Sequence, residues 1–394
     1  MIDFALSPST RDLVALTHDM SLNTMRCISR YYDEHEHEEM KPEEVQEIRQ
    51  KNDALNVRNF QTLKDSKEGF MLRGVILGEE QAWGDPMAGS AASRSGLGNA
   101  AINAVATDEQ KARFGKLFAA MAITEPCCGS DTASIQATAR LDKATNEWII
   151  NGEKIFVTSG RNCEAVVVWA SLDRSKGRPA IKSFVVEKTR PGCTVTKLEH
   201  KLGIRASDTA SIVFDECRIP YDNILGSPEI QEKTGGFRGV MATFDATRPA
   251  VASMAVGVAR AALEFTKEKL EEEGYAFPYD RGVHSLSAVQ RDVLDMEANL
   301  EAARLLIWRS AAMLDKRQRN SLEASMAKAK AGRAATLVCQ KCVAIMGPEG
   351  YSREWLLEKW MRDCKINDIF EGTGQIQMLI IARNILGFSR EQLK

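Results

Sequence analysis

A multidomain α+β architecture, with helices at both ends and strands between them, follows from three changes of pattern along the sequence. Apolar residues recur at helical spacing from about Ser9 to Leu117, then collect into short β-branched runs between about Ile123 and Leu225. Helical spacing returns after Gly236. The division expected is an N-terminal helical domain over 1–120, a central β-sheet domain over 121–235 and a C-terminal helical-bundle domain over 236–394. A chain of 394 residues exceeds a single core at about 150 residues per domain.

In the first stretch the helical pattern is broken by small-residue loops around 83–99 and by the acidic run Asp33 to Glu39. His35 and His37 within that run are two residues apart and do not share a helix face, so the run reads as a solvated charged surface. In the middle stretch the runs are Trp148 to Ile150, Lys154 to Val157, Val166 to Ala170, Ser183 to Glu187 and Ser211 to Phe214. Asn151-Gly152 separates the first two and predicts a type I′ hairpin turn. In the last stretch Val289, Val293, Met296, Leu300, Ala303 and Ile307 form one apolar stripe, the mark of a long helix packed in a bundle.

Composition excludes several classes of function. The 54 acidic residues nearly balance the 52 basic ones, which leaves no electrostatic footprint for nucleic acid. No window carries 18 consecutive apolar residues, and 1–11 lacks a basic region followed by an apolar one, so a cytoplasmic setting without a membrane is expected. Nine cysteines in a chain of this size are expected to stay reduced. No metal site is expected: Cys339-x-x-Cys342 sits in a helical stretch without a second pair, and Cys127-Cys128 read as small packing residues. Gly96-Leu97-Gly98-Asn99-Ala100-Ala101 fits a dinucleotide fingerprint only as a string, because no strand precedes it. P-loop, H-E-x-x-H and G-x-S-x-G motifs are missing from the sequence.

Two longer stretches carry a family resemblance. Met121 to Asp131 reads MAITEPCCGSD, and Lys359 to Gln377 reads KWMRDCKINDIFEGTGQIQ. Both resemble the signature stretches of the acyl-CoA dehydrogenase family of flavoproteins. The segments INGEKIFVT over 150–158, LGIRASDT over 202–209 and FDATRP over 244–249 are similar to further family segments in the same order. The resemblance implies that family's fold, with a barrel-like central sheet domain and a C-terminal four-helix-bundle domain, and an enzyme of fatty-acid β-oxidation that binds FAD. It also implies α,β-dehydrogenation of an acyl-CoA thioester, with electrons passed to an electron-transferring flavoprotein. An oxidase would share the same base and motifs, and a non-catalytic or partner-dependent subunit of a heteromeric enzyme is the alternative from another class. A homotetramer, or a dimer of dimers of one or two kinds of chain, is the implied assembly.

Removing the weakly acidic α proton requires a positioned base and a stabilised charge on the thioester carbonyl. The resemblance assigns the base to Glu371, and the β hydride to flavin N5. It also implies that the backbone N–H of Glu371 and a ribityl hydroxyl hold the carbonyl oxygen. One such donor contributes about 3 kcal/mol, roughly a hundredfold in rate. Thr247 stands where some family members carry the base, and a threonine cannot do that work. For FAD the implied contacts are Met121, Ile123, Thr124, Gly129 and Ser130 in the first signature, and Phe156, Val157 and Thr158 in the hairpin segment. Thr373, Gly374 and Gln375 at a helix start suit its anionic part. For the thioester they are Ser130, Asp245, Arg248 and Gly372.

Two segments depart from the family pattern. Tyr279-Asp280-Arg281-Gly282 stands where relatives carry an Arg-x-x-Phe-Gly segment that reaches the FAD diphosphate of a neighbouring subunit, and the resemblance implies FAD contacts from Gln290 and, at a shifted register, from Arg281. Ala344 to Gly350 keeps the glycines Gly347 and Gly350 of another FAD-contacting segment without its amide side chain. A DNA-associated flavoprotein of related fold is disfavoured by the near-zero net charge.

Overall fold

The computed structural model describes residues 5–230, 237–389 and 392, with backbone alone for 237–243. The expected boundary at 235/236 lies outside the described residues. The chain gathers into two compact units: Met1–Ala92, Lys201–Ala206 and Asp245–Lys394 form one, and Ser93–His200 with Ser207–Phe244 form the other. The helices of both ends of the sequence therefore share a unit.

That helical unit contains α1 (Pro8–Met20), α2 (Arg26–Glu34), α3 (Pro42–Thr62), α4 (Phe70–Gly84) and α5 (Ala88–Ala91). The sheet unit contains α6 (Leu97–Val105) and α7 (Asp108–Phe114). After the strands come α8 (Phe237–Glu272), α9 (Ala288–Asp315), α10 (Ser321–Met346), α11 (Pro348–Tyr351), α12 (Leu357–Cys364) and α13 (Gly374–Leu386).

The helical unit packs around an alanine-rich core. The expected stripe on α9 is buried at Val293, Met296, Leu300, Ala303 and Ile307, with Val289 partly buried beside it. Small residues let the helices approach closely: a Cβ on Gly257 of α8 would lie 2.3 Å from the Glu79 carbonyl of α4. Cys339 and Cys342 are buried on the inner face of α10, as packing residues. The acidic run is less solvated than its composition suggests. Asp33 is buried and accepts two hydrogen bonds from the Arg362 guanidinium, at 2.8 and 2.5 Å. Glu36 accepts the Lys201 backbone N–H at 2.9 Å.

The sheet unit has strands β1 (Ala119–Ala122), β2 (Thr138–Asp142), β3 (Glu147–Thr158), β4 (Ala165–Ser171), β5 (Ile181–Glu187), β6 (Cys193–Leu198), β7 (Thr209–Pro220) and β8 (Ile224–Leu225). Their order is β6-β7-β3-β2-β4-β5-β8, with β1 parallel to β4 at one side. All of β4 is buried because both faces are covered. Val166 and Val168 join the core that holds Trp148, Phe184 and Phe214, while Val167 and Trp169 join the other core, with Ile102 and Phe114. That two-sided burial is why the strand reads as an unbroken apolar run.

The hairpin expected at Asn151-Gly152 does not form. β3 runs straight through the pair, hydrogen-bonded to β2 on one side and β7 on the other, with its register against β7 shifting between Ile150 and Gly152. Asn151 makes two hydrogen bonds with Glu216 across that bulge, at 2.7 and 2.8 Å. Gly152 has φ +144, and a Cβ there would stand 2.7 Å from Ala137 Cα and Cβ. Asn-Gly thus serves a bulge inside a long strand, because pairing on both edges outweighs the local turn preference. Gly152→Ala is expected to destabilise the protein by about 1–3 kcal/mol, through backbone strain and contact with Ala137, just ahead of β2. Denaturant unfolding of the two proteins measures the difference.

Candidate active site

In the helical unit the chain leaves the single turn Lys365–Asp368 and reaches Glu371 and Gly372, both left-handed at φ +57 and +90. A non-glycine residue pays about 1–2 kcal/mol for this conformation, so surrounding contacts must hold it. The Gln377 side-chain amide, fully buried on α13, donates to the Glu371 carbonyl at 3.3 Å and to the Gly372 carbonyl at 3.1 Å. Lys328 Nζ of α10 donates to the Gly372 carbonyl at 2.7 Å. Thr373 then caps α13, its hydroxyl accepting the Ile376 N–H at 3.3 Å. Gly374 sits close to Asp368, whose Oδ1 would lie 2.4 Å from a Cβ placed there. Gln375 follows in the exposed first turn of α13.

The Glu371 carboxylate faces α8, where Thr247 Oγ1 donates to its Oε2 at 2.8 Å. Burial pushes the Glu371 carboxyl above the ordinary carboxylate range, and this hydrogen bond, Arg248 and Lys328 oppose that rise. Arg248 is buried and donates from Nη1 to Asp245 Oδ1 at 2.7 Å. Asp245 also accepts the Ser321 hydroxyl, and its carbonyl accepts Asn320 Nδ2 at 3.2 Å. Asp245, Arg248, Glu371, Gly372 and the start of α13 are therefore brought together in one unit.

Three other expected cofactor contacts belong to the same unit. Gln290 closes the capping box of α9 with Ser287 and donates to the Ala276 carbonyl at 2.6 Å. Gly347 ends α10 with φ +56, and Arg281 is exposed in the turn before α9.

In the sheet unit the first signature and the β3 segment lie side by side. Met121 and Ile123 pack into the core at the end of β1, and the Thr124 carbonyl accepts the Ile155 N–H at 2.9 Å. Glu125 and Cys128 close a tight turn by exchanging backbone hydrogen bonds, which leaves Gly129 and Ser130 exposed beyond it. Beneath the turn Lys154, fully buried, donates to Glu125 Oε1 at 2.7 Å and to the Ile123 carbonyl at 3.0 Å. The Glu125 carboxylate also takes the Gln136 and Ala137 N–H groups. Cys127 and Cys128 approach the same carboxylate, and burial pushes the Cys128 thiol up to about 12. With a lysine and two amides already on Glu125, this cluster is a structural anchor for the turn.

Phe156 sits in a bulge of β3 opposite β7, left-handed at φ +55 and 59% exposed, while Val157 is buried and Thr158 half-buried. A large aromatic held at strained backbone with its ring bare offers a face for a flat heterocycle, and Thr124 and Thr158 supply hydroxyls for its polar edge. In the helical unit the capped start of α13 offers N–H groups to an anion. Taken unit by unit, these residues fit parts of FAD.

Lys328 and Gln377 are site residues that the sequence did not single out, and Thr247, weighed there only as a base, is a donor to Glu371. Thr247 is 124 positions from Glu371 and Lys328 is 44 from Gly372, so spacing alone held no signal for either contact.

Two family models match the chain, that of the acyl-CoA dehydrogenase middle domain over residues 120–217 and that of the acyl-CoA dehydrogenase C-terminal domain over residues 234–386. The chain belongs to the acyl-CoA dehydrogenase family. It is 39% identical over 272 residues to the mitochondrial short-chain specific acyl-CoA dehydrogenase of Rattus norvegicus, covering 69% of this chain and 64% of that relative. It thus spans somewhat under two thirds of that relative's length. To the caffeyl-CoA reductase-Etf complex subunit CarC of Acetobacterium woodii it is 34% identical over 290 residues, 71% of this chain and 73% of the other. The solved butyryl-CoA dehydrogenase of Megasphaera elsdenii superposes with a TM-score of 0.82 at 28% identity, covering 98% of this chain and 100% of that one. The acyl-CoA dehydrogenase fold expected from the sequence is therefore the fold observed. Among the described residues no helix is long and apolar enough to cross a membrane.

In this family member Thr247→Val keeps the side-chain shape and deletes the hydrogen bond to Glu371. A hydrogen bond to a charged group contributes about 1.5–3 kcal/mol, so the Glu371 carboxylate is expected to lose stabilisation of that order relative to its protonated form. Losing a contact that favours the carboxylate also moves the acidic limb of the pH–rate profile to higher pH. A profile that overlays the wild type would contradict this.

Proposed function

We propose that this chain is an FAD-dependent acyl-CoA dehydrogenase in which Glu371 removes the α proton of an acyl-CoA thioester, giving the 2-enoyl-CoA. The observation that carries the reading is the Glu371 carboxylate itself. It is held at a left-handed turn, raised in pKa by burial and aimed by a single donated hydrogen bond from Thr247. A structural acid has no need of that combination, whereas a base for a carbon acid is best served by a raised pKa and a fixed direction.

FAD, when bound, supplies the acceptor for the β hydride. Glu371 takes and later releases the α proton, Gly372 lets the backbone turn left-handed beside it, and the Arg248–Asp245 pair offers polar anchorage to the thioester. The names of the relatives, which include a short-chain dehydrogenase and a subunit of an Etf complex, support a short acyl-CoA as substrate and an electron-transferring flavoprotein as acceptor.

The test is anaerobic titration of the FAD-loaded protein with acyl-CoA thioesters of increasing length, beginning with butyryl-CoA. Loss of the oxidised flavin's visible absorbance with stoichiometric enoyl-CoA formation is expected. An unchanged flavin spectrum with every thioester would defeat the reading. Because Glu371 acts as the carboxylate, the rate should rise with pH through its raised pKa and be lost as pH falls below it.

A further inference from the structure

Lys328 lies in the middle of α10, 1% exposed, on the helix face that also buries Ala324, Ala327, Ala331 and Ala335. Lysine is almost never fully buried without a charged partner. Its ammonium makes a 2.7 Å hydrogen bond to a neutral group, the Gly372 carbonyl. Burying an ammonium costs more than one hydrogen bond to a carbonyl returns, so the packing of α10 does not account for a lysine here. What the contact does is local. The Gly372 carbonyl receives Lys328 and Gln377 together, so the second residue of the left-handed pair is held from α10 and α13 at once. The charges acting on Lys328 are Asp368 and Glu371, which favour its protonated form, and Arg248, which opposes it, while burial brings its pKa down to about 8.

We propose that Lys328 is a positioning residue for the base: its ammonium pins the Gly372 carbonyl, fixes the left-handed Glu371–Gly372 pair, and sets a positive charge beside the Glu371 carboxylate. This deepens the reading of Glu371 as the base and rests on it. Lysine acts through Glu371 and touches no reacting atom.

The test compares wild type, Lys328→Met, Lys328→Arg and Glu371→Gln as FAD-loaded proteins. Without substrate, the carboxyl band that Glu371→Gln removes from the infrared spectrum is titrated with pH. With butyryl-CoA, the anaerobic rate of flavin reduction is followed across the same range. Lys328→Met is expected to move the infrared midpoint and the acidic limb of the rate profile to higher pH together. It should also slow reduction by about tenfold, the loss of one charge-assisted contact, with KM little changed. Lys328→Arg, which keeps the charge and a donor, should restore most of the rate. An infrared midpoint and rate profile in Lys328→Met that overlay the wild type, beside an inert Glu371→Gln, would overturn the proposal and leave the base assignment standing. Normal reduction by Glu371→Gln would overturn both. If Lys328→Met fails to fold, Lys328→Gln, which offers an N–H donor without the charge, is read against the same two outcomes.

Discussion

Glu371→Gln is expected to slow anaerobic flavin reduction by acyl-CoA at least about a hundredfold, within the range for loss of a general base. Glutamine fills the same volume and its amide oxygen can still accept from Thr247, so the left-handed turn, FAD content and thioester binding should persist. The Gln377 and Lys328 contacts that hold the turn go to backbone carbonyls, which the substitution leaves alone. The loss should therefore fall on the rate of the chemical step, with little change in thioester affinity. Near-normal reduction would remove Glu371 from its role.

The second large effect is expected on stability. Lys359 is buried between two buried carboxylates, 3.0 Å from Asp85 Oδ2 and 2.5 Å from Asp363 Oδ2. Asp85 also accepts Ser29 Oγ and the Met87 and Ala88 N–H groups, and Asp363 accepts the Ile204 N–H at 2.5 Å. One ammonium thus ties α12 to the loop after α4 and to the 201–206 segment, all within the helical unit. Lys359→Met would leave two carboxylates facing each other out of water, and a loss of about 3–5 kcal/mol is expected. Urea unfolding should show a clearly lower midpoint, partly recovered by adding Asp85→Asn. An unchanged midpoint would contradict the account of the triad.

These two predictions come from opposite ends of one stretch of sequence. Within 359–377, the Lys359 and Asp363 end anchors the stretch through buried charges, Arg362 does so through Asp33, and the Glu371–Gly372 end presents the carboxylate. The resemblance pointed to the stretch as a whole, while the separation of its duties needed the fold. Periodicity was enough for the helix, strand, helix order and for the α9 stripe, because burial on one face imposes its period directly on the residues. It was not enough for β1, where Ala-Ala-Met-Ala carries no β-branched run and strand pairing with β4 decides the matter. Asn151-Gly152 misled because its turn preference concerns two residues, whereas the pairing that decides it comes from β2, which turns back onto β3 at 143–146, and from the distant β7. Lys328 was silent for a related reason: a lysine among alanines reads as the polar side of a helix until the carbonyl it meets is known.

The most direct measurement follows the α proton itself. A short-chain acyl-CoA carrying deuterium at the α carbon is mixed anaerobically with FAD-loaded wild type and Glu371→Gln, and release of the label to water is read by NMR. Wild type should release it as enoyl-CoA forms, and Glu371→Gln should keep it on the substrate. Equal release from both proteins would mean that another group takes the proton.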